Sequence, residues 1–124
     1  MIKPKLGFVL LFVDSPSKSG EFYQRVLGCE PIEAHPTFQL FQLDDATQLG
    51  LWSRNTAEPS VAGTAGGAEI CFAHEDVDAV YACWINWGIP IAQIPTDMDF
   101  GRTFVALDPD GHRIRVYRLH EVAR

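Results

Sequence analysis

The sequence lacks an excess of basic residues. Its 124 residues include 10 Lys and Arg against 16 Asp and Glu, which gives a formal net charge of −6. Proteins that bind nucleic acid usually carry a basic stripe or patch, and no such stripe is visible here. The composition therefore argues against nucleic acid as a partner.

Cysteines are few, and long apolar runs are absent. The three cysteines, Cys29, Cys71 and Cys83, are an odd number without paired spacing, which argues against a disulfide framework and favours a reducing cytoplasm. The longest apolar runs, at 8–13 and 79–85, are far shorter than the roughly 20 residues that a membrane span needs. We therefore predict a cytoplasmic protein that does not cross a membrane.

The signatures of common catalytic sites are also missing. The sequence has no nucleophile elbow, no phosphate-binding loop with its lysine and no dinucleotide fingerprint. None of the four histidines has the spacing typical of a metal-binding pair; they are His35, His74, His112 and His120. We therefore expect neither a metal ion nor another cofactor.

What the chain does contain is an order of elements that occurs twice. In the first half, apolar runs, turn residues and helix periodicity predict these elements: a strand at 6–13, a helix capped by Ser17 or Ser19 and ending near Leu27, a short strand from Pro31, and a hairpin of strands 38–43 and 48–52. The second half predicts the same order: a strand at 68–73, a helix at 75–87, a strand at 91–94, a loop at 95–101 and a closing hairpin built around a Pro-Asp-Gly turn.

This repeat predicts the organisation of the chain. We expect a single domain, 1–124, made of a first module at 1–54, a linker at 55–67 and a second module at 68–124. The predicted fold is α+β, with two βαβββ modules whose strands form a cupped mixed sheet with the helices on its outer face. The concave face of the cup is the predicted ligand site.

Strand alternation indicates which side chains face the cup, because successive residues of a strand point to opposite sides. If Asp108 opposes Arg113, the closing hairpin points Phe104, Arg115 and Tyr117 into the cup. The other predicted cup residues are Phe41, Trp52 and Glu69, with Phe38 in place of Phe41 if the register of strand 38–43 slips by one residue.

Aromatic rings gathered in a cleft suit a flat, conjugated ligand. The arginine among them, Arg115, can stack on such a ring or bind a carboxylate through two parallel hydrogen bonds. Two alternatives stay open. The aromatic side chains can close a dimer interface, and Glu69 and Arg115 can form a salt bridge that touches no ligand.

The segment 100–117, with Phe-Gly-Arg-Thr-Phe leading into Asp-Pro-Asp-Gly-His, resembles the closing hairpin of the vicinal-oxygen-chelate superfamily. That superfamily includes glyoxalases, extradiol dioxygenases and bleomycin-resistance proteins. Its metal-dependent members hold a divalent ion at four strand positions, which correspond here to Gly7, Gly50, Glu69 and Arg115. Two of these have no side chain and the arginine cannot bind a metal, so the resemblance itself implies that the metal site is absent.

Within this superfamily, Leu-Trp-Ser at 51–53, the Glu-Pro linker after it and the closing segment resemble the phenazine-antibiotic resistance proteins. The resemblance extends over 8–119. It implies a non-catalytic homodimer that sequesters a planar phenazine between aromatic side chains, with strands exchanged through the linker 55–67 as a hinge. It also implies that Trp52 is the stacking platform, with Ser53 next to it at the ligand.

The sequence therefore predicts metal-independent binding and sequestration of a planar aromatic small molecule, such as a phenazine-type antibiotic, which gives drug resistance. One alternative is a metal-dependent lyase or dioxygenase with an atypical site. Another is a protein whose dimer surface serves a protein partner.

Overall fold

A computed structural model describes residues 2–121 of the chain. The chain divides into two compact units, Met1–Gly63 and Thr64–Arg124, which we call the first and second modules. The division falls inside the predicted linker. Neither helix found within 2–121 is long and apolar enough to cross a membrane.

Each module contains one helix and one four-stranded mixed sheet, as predicted. The elements of the first module are β1 (Val9–Val13), α1 (Pro16–Leu27), β2 (Glu33–His35), β3 (Phe38–Gln42) and β4 (Gln48–Ser53). Those of the second are β5 (Glu69–Ala73), α2 (Val77–Asn86), β6 (Ile91–Met98), β7 (Gly101–Leu107) and β8 (Arg113–Leu119). The strand orders are β1-β4-β3-β2 and β5-β8-β7-β6, and the first strand of each module pairs with the last in parallel. The predicted α+β fold with two βαβββ modules is confirmed, whereas the homodimer and the strand exchange stay predictions.

The first helix begins earlier than predicted. Ser15, not Ser17 or Ser19, is its N-cap, and the Ser15 hydroxyl accepts a hydrogen bond from the Lys18 amide at 3.2 Å. Pro16 follows as the first helical residue, a position where its missing N–H costs nothing. The proline thus starts the helix.

Two strand ends also differ from the prediction. Strand β1 begins at Val9 rather than Leu6, and its parallel pairing with β4 begins at the same residue, with Val9 opposite Leu49. Strand β6 passes through Pro95 and reaches Met98. A proline is tolerated here because β6 is an edge strand and its register shifts between Gln93 and Thr96, as at a β-bulge.

The helix covers one face of each sheet. In the first module this face carries apolar side chains that are almost fully buried: Val13, Phe41, Leu49 and Leu51, with Tyr23 of α1. In the second module the Phe104 ring contacts Tyr81 and Trp84 of α2 edge-to-face, with centroids 5.5 and 5.4 Å apart. We call the opposite side of each sheet its helix-free face.

Gly101 fixes the start of β7 against the end of β8. Its φ is +153°, a conformation that residues with a side chain rarely adopt. A Cβ atom there would lie 2.0 Å from the carbonyl oxygen of Arg118 and 2.9 Å from the Cα of Leu119. Only glycine fits this close pairing of the two strands.

Candidate functional site

The helix-free face of the first module carries a row of three aromatic rings. Trp52 on β4 lies directly opposite Phe12 on β1 and Phe38 on β3. The Phe12 and Trp52 ring centroids are 6.0 Å apart with the planes tilted by 35°. Because neighbouring strands are about 4.8 Å apart, the row extends across roughly 10 Å of sheet. This placement agrees with the predicted position of Trp52 and with the slipped register that puts Phe38 beside it.

Apolar side chains surround this row and close over Gly50. A Cβ atom at Gly50 would meet the side chains of Phe8, Leu10 and Phe38 at 3.0 to 3.2 Å. Phe8 keeps 43% of its surface exposed, although it is a large hydrophobic residue. The helix-free face of the first module is therefore an aromatic and aliphatic surface without a charged group at its centre.

Phe41 and Ser53, predicted at the ligand, lie on the opposite side of this sheet. Phe41 pairs with Leu49 rather than with a cup-facing residue, and it is fully buried. Ser53 pairs with Val13 and is also buried. The predicted register of β3 is wrong by one residue because Leu43 belongs to the turn, where its amide donates to the carbonyl of Thr47.

On the helix-free face of the second module, Glu69 and Arg115 form an ion pair in which every guanidinium nitrogen donates a hydrogen bond. The Arg115 Nε and Nη2 atoms donate to the two carboxylate oxygens of Glu69, at 2.7 and 3.1 Å. Arg115 Nη1 also donates to the side-chain oxygens of Gln93, at 3.2 Å, and Thr103, at 3.1 Å. The salt bridge between Glu69 and Arg115, one of the two alternatives named in the sequence analysis, is therefore present. Together with the bonds to Gln93 and Thr103, it engages all three nitrogens of the Arg115 guanidinium.

This network controls the protonation of its neighbours. The hydrogen bond from Arg115 lowers the pKa of Glu69 below its ordinary value of 4.5, and the charge of Arg113 adds to the effect. Burial, followed by the charge of Glu69, raises the pKa of the Cys71 thiol above 9.0. At neutral pH the carboxylate is therefore charged and the thiol is neutral.

Phe104 is also placed differently from the prediction. Leu107, not Asp108, opposes Arg113, because the Asp108 carboxylate accepts the amides of Asp110 and His112 and so belongs to the turn. The shift of one residue turns Phe104 towards α2 and turns Val105 towards the helix-free face. Arg115 and Tyr117 keep their predicted side.

Tyr117 lines a pocket at the carboxyl ends of β5 and β8. Its volume is about 380 Å³, and its other lining residues are Ala73, His74, Glu75, Arg118 and Leu119. Tyr117 pairs with Ala73 across the two parallel strands. The aromatic ring predicted for the ligand site therefore borders a cavity, whereas Arg115 lies in the packed ion pair.

The residues at the superfamily's metal positions do not fit a metal ion. Gly50 has no side chain, Arg115 is a cation, and both oxygens of Glu69 accept hydrogen bonds from Arg115. Gly7 precedes β1, and the residue that pairs with Gly50 on that strand is Leu10. Across residues 2–121, no group of three or more His, Cys, Asp or Glu side chains is placed to hold a metal ion.

The lowered pKa of Glu69 predicts a pH-dependent stability. A carboxylate whose folded-state pKa lies below its unfolded value stabilises the fold above the unfolded pKa and loses this contribution as the pH falls through the folded one. We therefore expect the free energy of unfolding to fall on acidification below about pH 4.5, and to fall less in Glu69→Gln. Urea unfolding of both proteins between pH 6 and 3 measures the difference. Parallel pH curves would contradict it.

Comparisons with known proteins agree with this fold and these motifs. Residues 5–116 match the model of the glyoxalase/bleomycin resistance protein/dioxygenase superfamily. The chain is 33% identical over 117 residues to the phenazine antibiotic resistance protein EhpR of Enterobacter agglomerans, covering 89% of this chain and 88% of that protein.

Solved structures share the fold. An Agrobacterium tumefaciens protein solved in solution by NMR is 44% identical, with a TM-score of 0.82 over 98% of this chain and 100% of that one. A glyoxalase-related enzyme from Fulvimarina pelagi shares the fold, with a TM-score of 0.81 at 16% identity over 92% of this chain and 87% of that one. The chain therefore belongs to the glyoxalase/bleomycin resistance protein/dioxygenase superfamily.

Proposed function

We propose that this protein binds a planar aromatic small molecule, such as a phenazine-type antibiotic, and confers resistance by sequestering it without breaking a bond. The protein works as a homodimer in the cytoplasm, where its three cysteines stay unpaired. Trp52 is the main stacking surface for the ligand.

The observation that carries this proposal is the row of Phe12, Trp52 and Phe38 on a sheet face without a helix. Side chains of this kind present flat apolar surfaces at a low cost in conformational entropy. Stacking of a flat heterocycle on an aromatic side chain contributes about 1–3 kcal/mol per ring in nucleic-acid complexes. A micromolar dissociation constant corresponds to about −8 kcal/mol, which contacts with all three rings reach at the upper end of this range.

Two further observations support the proposal. The relative from Enterobacter agglomerans is itself a phenazine antibiotic resistance protein, and the likeness covers most of both chains. The side chains at the metal positions include no pair of ligands, which favours binding without a metal over the lyase or dioxygenase chemistry found elsewhere in the superfamily.

Titration of the metal-stripped protein with phenazine-1-carboxylate tests the proposal. We expect saturable quenching of tryptophan fluorescence with a micromolar midpoint, because the ligand ring stacks on Trp52. The same titration after addition of Zn²⁺, Ni²⁺, Fe²⁺ or Mn²⁺ is the control and should give an unchanged midpoint. Quenching that requires one of these ions would contradict the proposal and favour a metalloenzyme.

A further inference from the structure

Gly50 lies at the centre of the helix-free face of the first module, in the interior of β4. It is buried, and it pairs with Leu10 on β1 and with Leu40 on β3 in registers that continue without a shift on either side. Its φ is not among the positive ones. A glycine inside a strand weakens the strand, because it loses more conformational entropy on folding than other residues and packs no side chain. Neither a bulge nor a left-handed backbone accounts for the glycine at this position.

The side chains above Gly50 do account for it. A Cβ atom there would lie 3.0 Å from Cε2 of Phe8, 3.1 Å from Cδ1 of Leu10 and 3.2 Å from Cε1 of Phe38. Carbon atoms in favourable contact are about 3.5–4.0 Å apart, so the three side chains would have to move outwards by a few tenths of an ångström. All three atoms belong to side chains and none to the backbone. A side chain at position 50 would therefore change the surface of this face rather than the pairing of its strands.

From this geometry we infer that Gly50 is a positioning residue, which sets how far the stacking surface extends along β4. Trp52 lies two residues further along the same strand and on the same face, at a distance of about 7 Å. Because position 50 has no side chain, Phe8 and Phe38 close over it and continue the apolar surface that begins at Trp52. The inference rests on the proposed function, because it assigns the extent of the surface that holds the same ligand.

A surface of this extent favours a ligand with several fused rings. A small ring system covers Trp52 and little else, whereas a longer one also contacts the side chains that close over Gly50. The gain in binding free energy is roughly proportional to the apolar area that leaves the water. A methyl group at position 50 pushes these side chains out of line with Trp52, and a gap of less than 1 Å already removes a large part of the attraction between two surfaces. The longer ligand therefore loses more than the shorter one.

The test compares phenazine, which has three fused rings, with quinoxaline, its analogue with two, by titrations that follow tryptophan fluorescence. The wild type should bind phenazine more tightly than quinoxaline. Gly50→Ala should reduce this preference about fivefold, mainly through a loss of phenazine affinity, and the larger side chain of Gly50→Val should reduce it further. Gly7→Ala is the matched control, because it makes the same substitution in the same module where a Cβ atom meets nothing within 4 Å. It should keep the preference.

A second variant tests the same surface without adding an atom to β4. Phe8 precedes β1 and keeps 43% of its surface exposed, so Phe8→Ala should leave the fold intact. It removes one of the rings that close over Gly50 and should also reduce the preference for phenazine. This variant decides the question if Gly50→Ala does not fold. The midpoint of urea unfolding is measured for each variant, because a purely structural role would shift this midpoint and leave the preference between the two compounds unchanged.

The outcomes separate this inference from the proposed function. Equal affinity of the wild type for both compounds, or an unchanged preference in folded Gly50→Ala, would overturn the role of Gly50 and leave aromatic binding intact. An equal loss of preference in Gly7→Ala would overturn it as well, and so would an unchanged preference in Phe8→Ala where that variant decides. Binding of neither compound to the wild type would contradict the proposed function and this inference with it.

Discussion

Phe104→Ala is expected to lower the free energy of unfolding by about 3–5 kcal/mol, the usual cost of removing a buried phenylalanine ring. Phe104 is fully buried, and it contacts Tyr81 and Trp84 edge-to-face. The truncation leaves a cavity between α2 and the sheet, and the lost aromatic contacts add to the cost. Urea unfolding followed by circular dichroism measures this change.

Phe38→Ala is the matched control, since it removes the same ring from a helix-free face. Phe38 is only partly buried, so we expect a cost of about 1 kcal/mol together with weaker ligand binding. The reverse pattern, in which Phe104→Ala is stable but loses ligand affinity, would mean that Phe104 faces the ligand after all.

Trp52→Ala is expected to weaken phenazine-1-carboxylate binding about 5- to 150-fold, which corresponds to the 1–3 kcal/mol of one stacked ring. Trp52 is the central ring of the aromatic row and lies opposite both Phe12 and Phe38, so its removal leaves the outer two rings without a continuous surface. Calorimetric titration is the measurement, because the substitution also removes a fluorophore.

Trp87→Ala serves as the control for this substitution. Trp87 lies at the end of α2 in the second module, where 36% of its surface is exposed, and it belongs to no part of the proposed site. Its loss should leave the affinity unchanged. Equal losses of affinity in the two variants, or an unchanged affinity in folded Trp52→Ala, would remove Trp52 from the proposed stacking role.

Most of the fold could be predicted from the sequence, because its signals are local. The glycine after α1 adopts a left-handed conformation that ends the helix, and Asp76 caps α2 through the Ala79 amide at 3.0 Å. The order of elements in each half followed from such signals. The extent of β6 could not be predicted, because Pro95 normally ends a strand and is accepted here only at a sheet edge with a shifted register.

The site was harder to predict because it depends on strand register. If a turn residue is wrongly assigned to a strand, the predicted register slips by one residue and the side chains of that strand are assigned to the wrong face. This error occurred in both hairpins, at Leu43 and at Asp108. The faces of Trp52, Glu69 and Arg115 were predicted correctly. Phe12, which lies opposite Trp52, was not among the predicted cup residues.

The pairing of first strand with last in each module has a consequence for biosynthesis. The parallel pair β1–β4 forms only after β4 has emerged from the ribosome, and the β5–β8 pair forms only after the closing hairpin has emerged. Pairing between distant segments is slow compared with local hairpin formation. Because every strand of the first module pairs within that module, its sheet can close while the second is still being translated. The aromatic row can therefore assemble before the ion pair of Glu69 and Arg115.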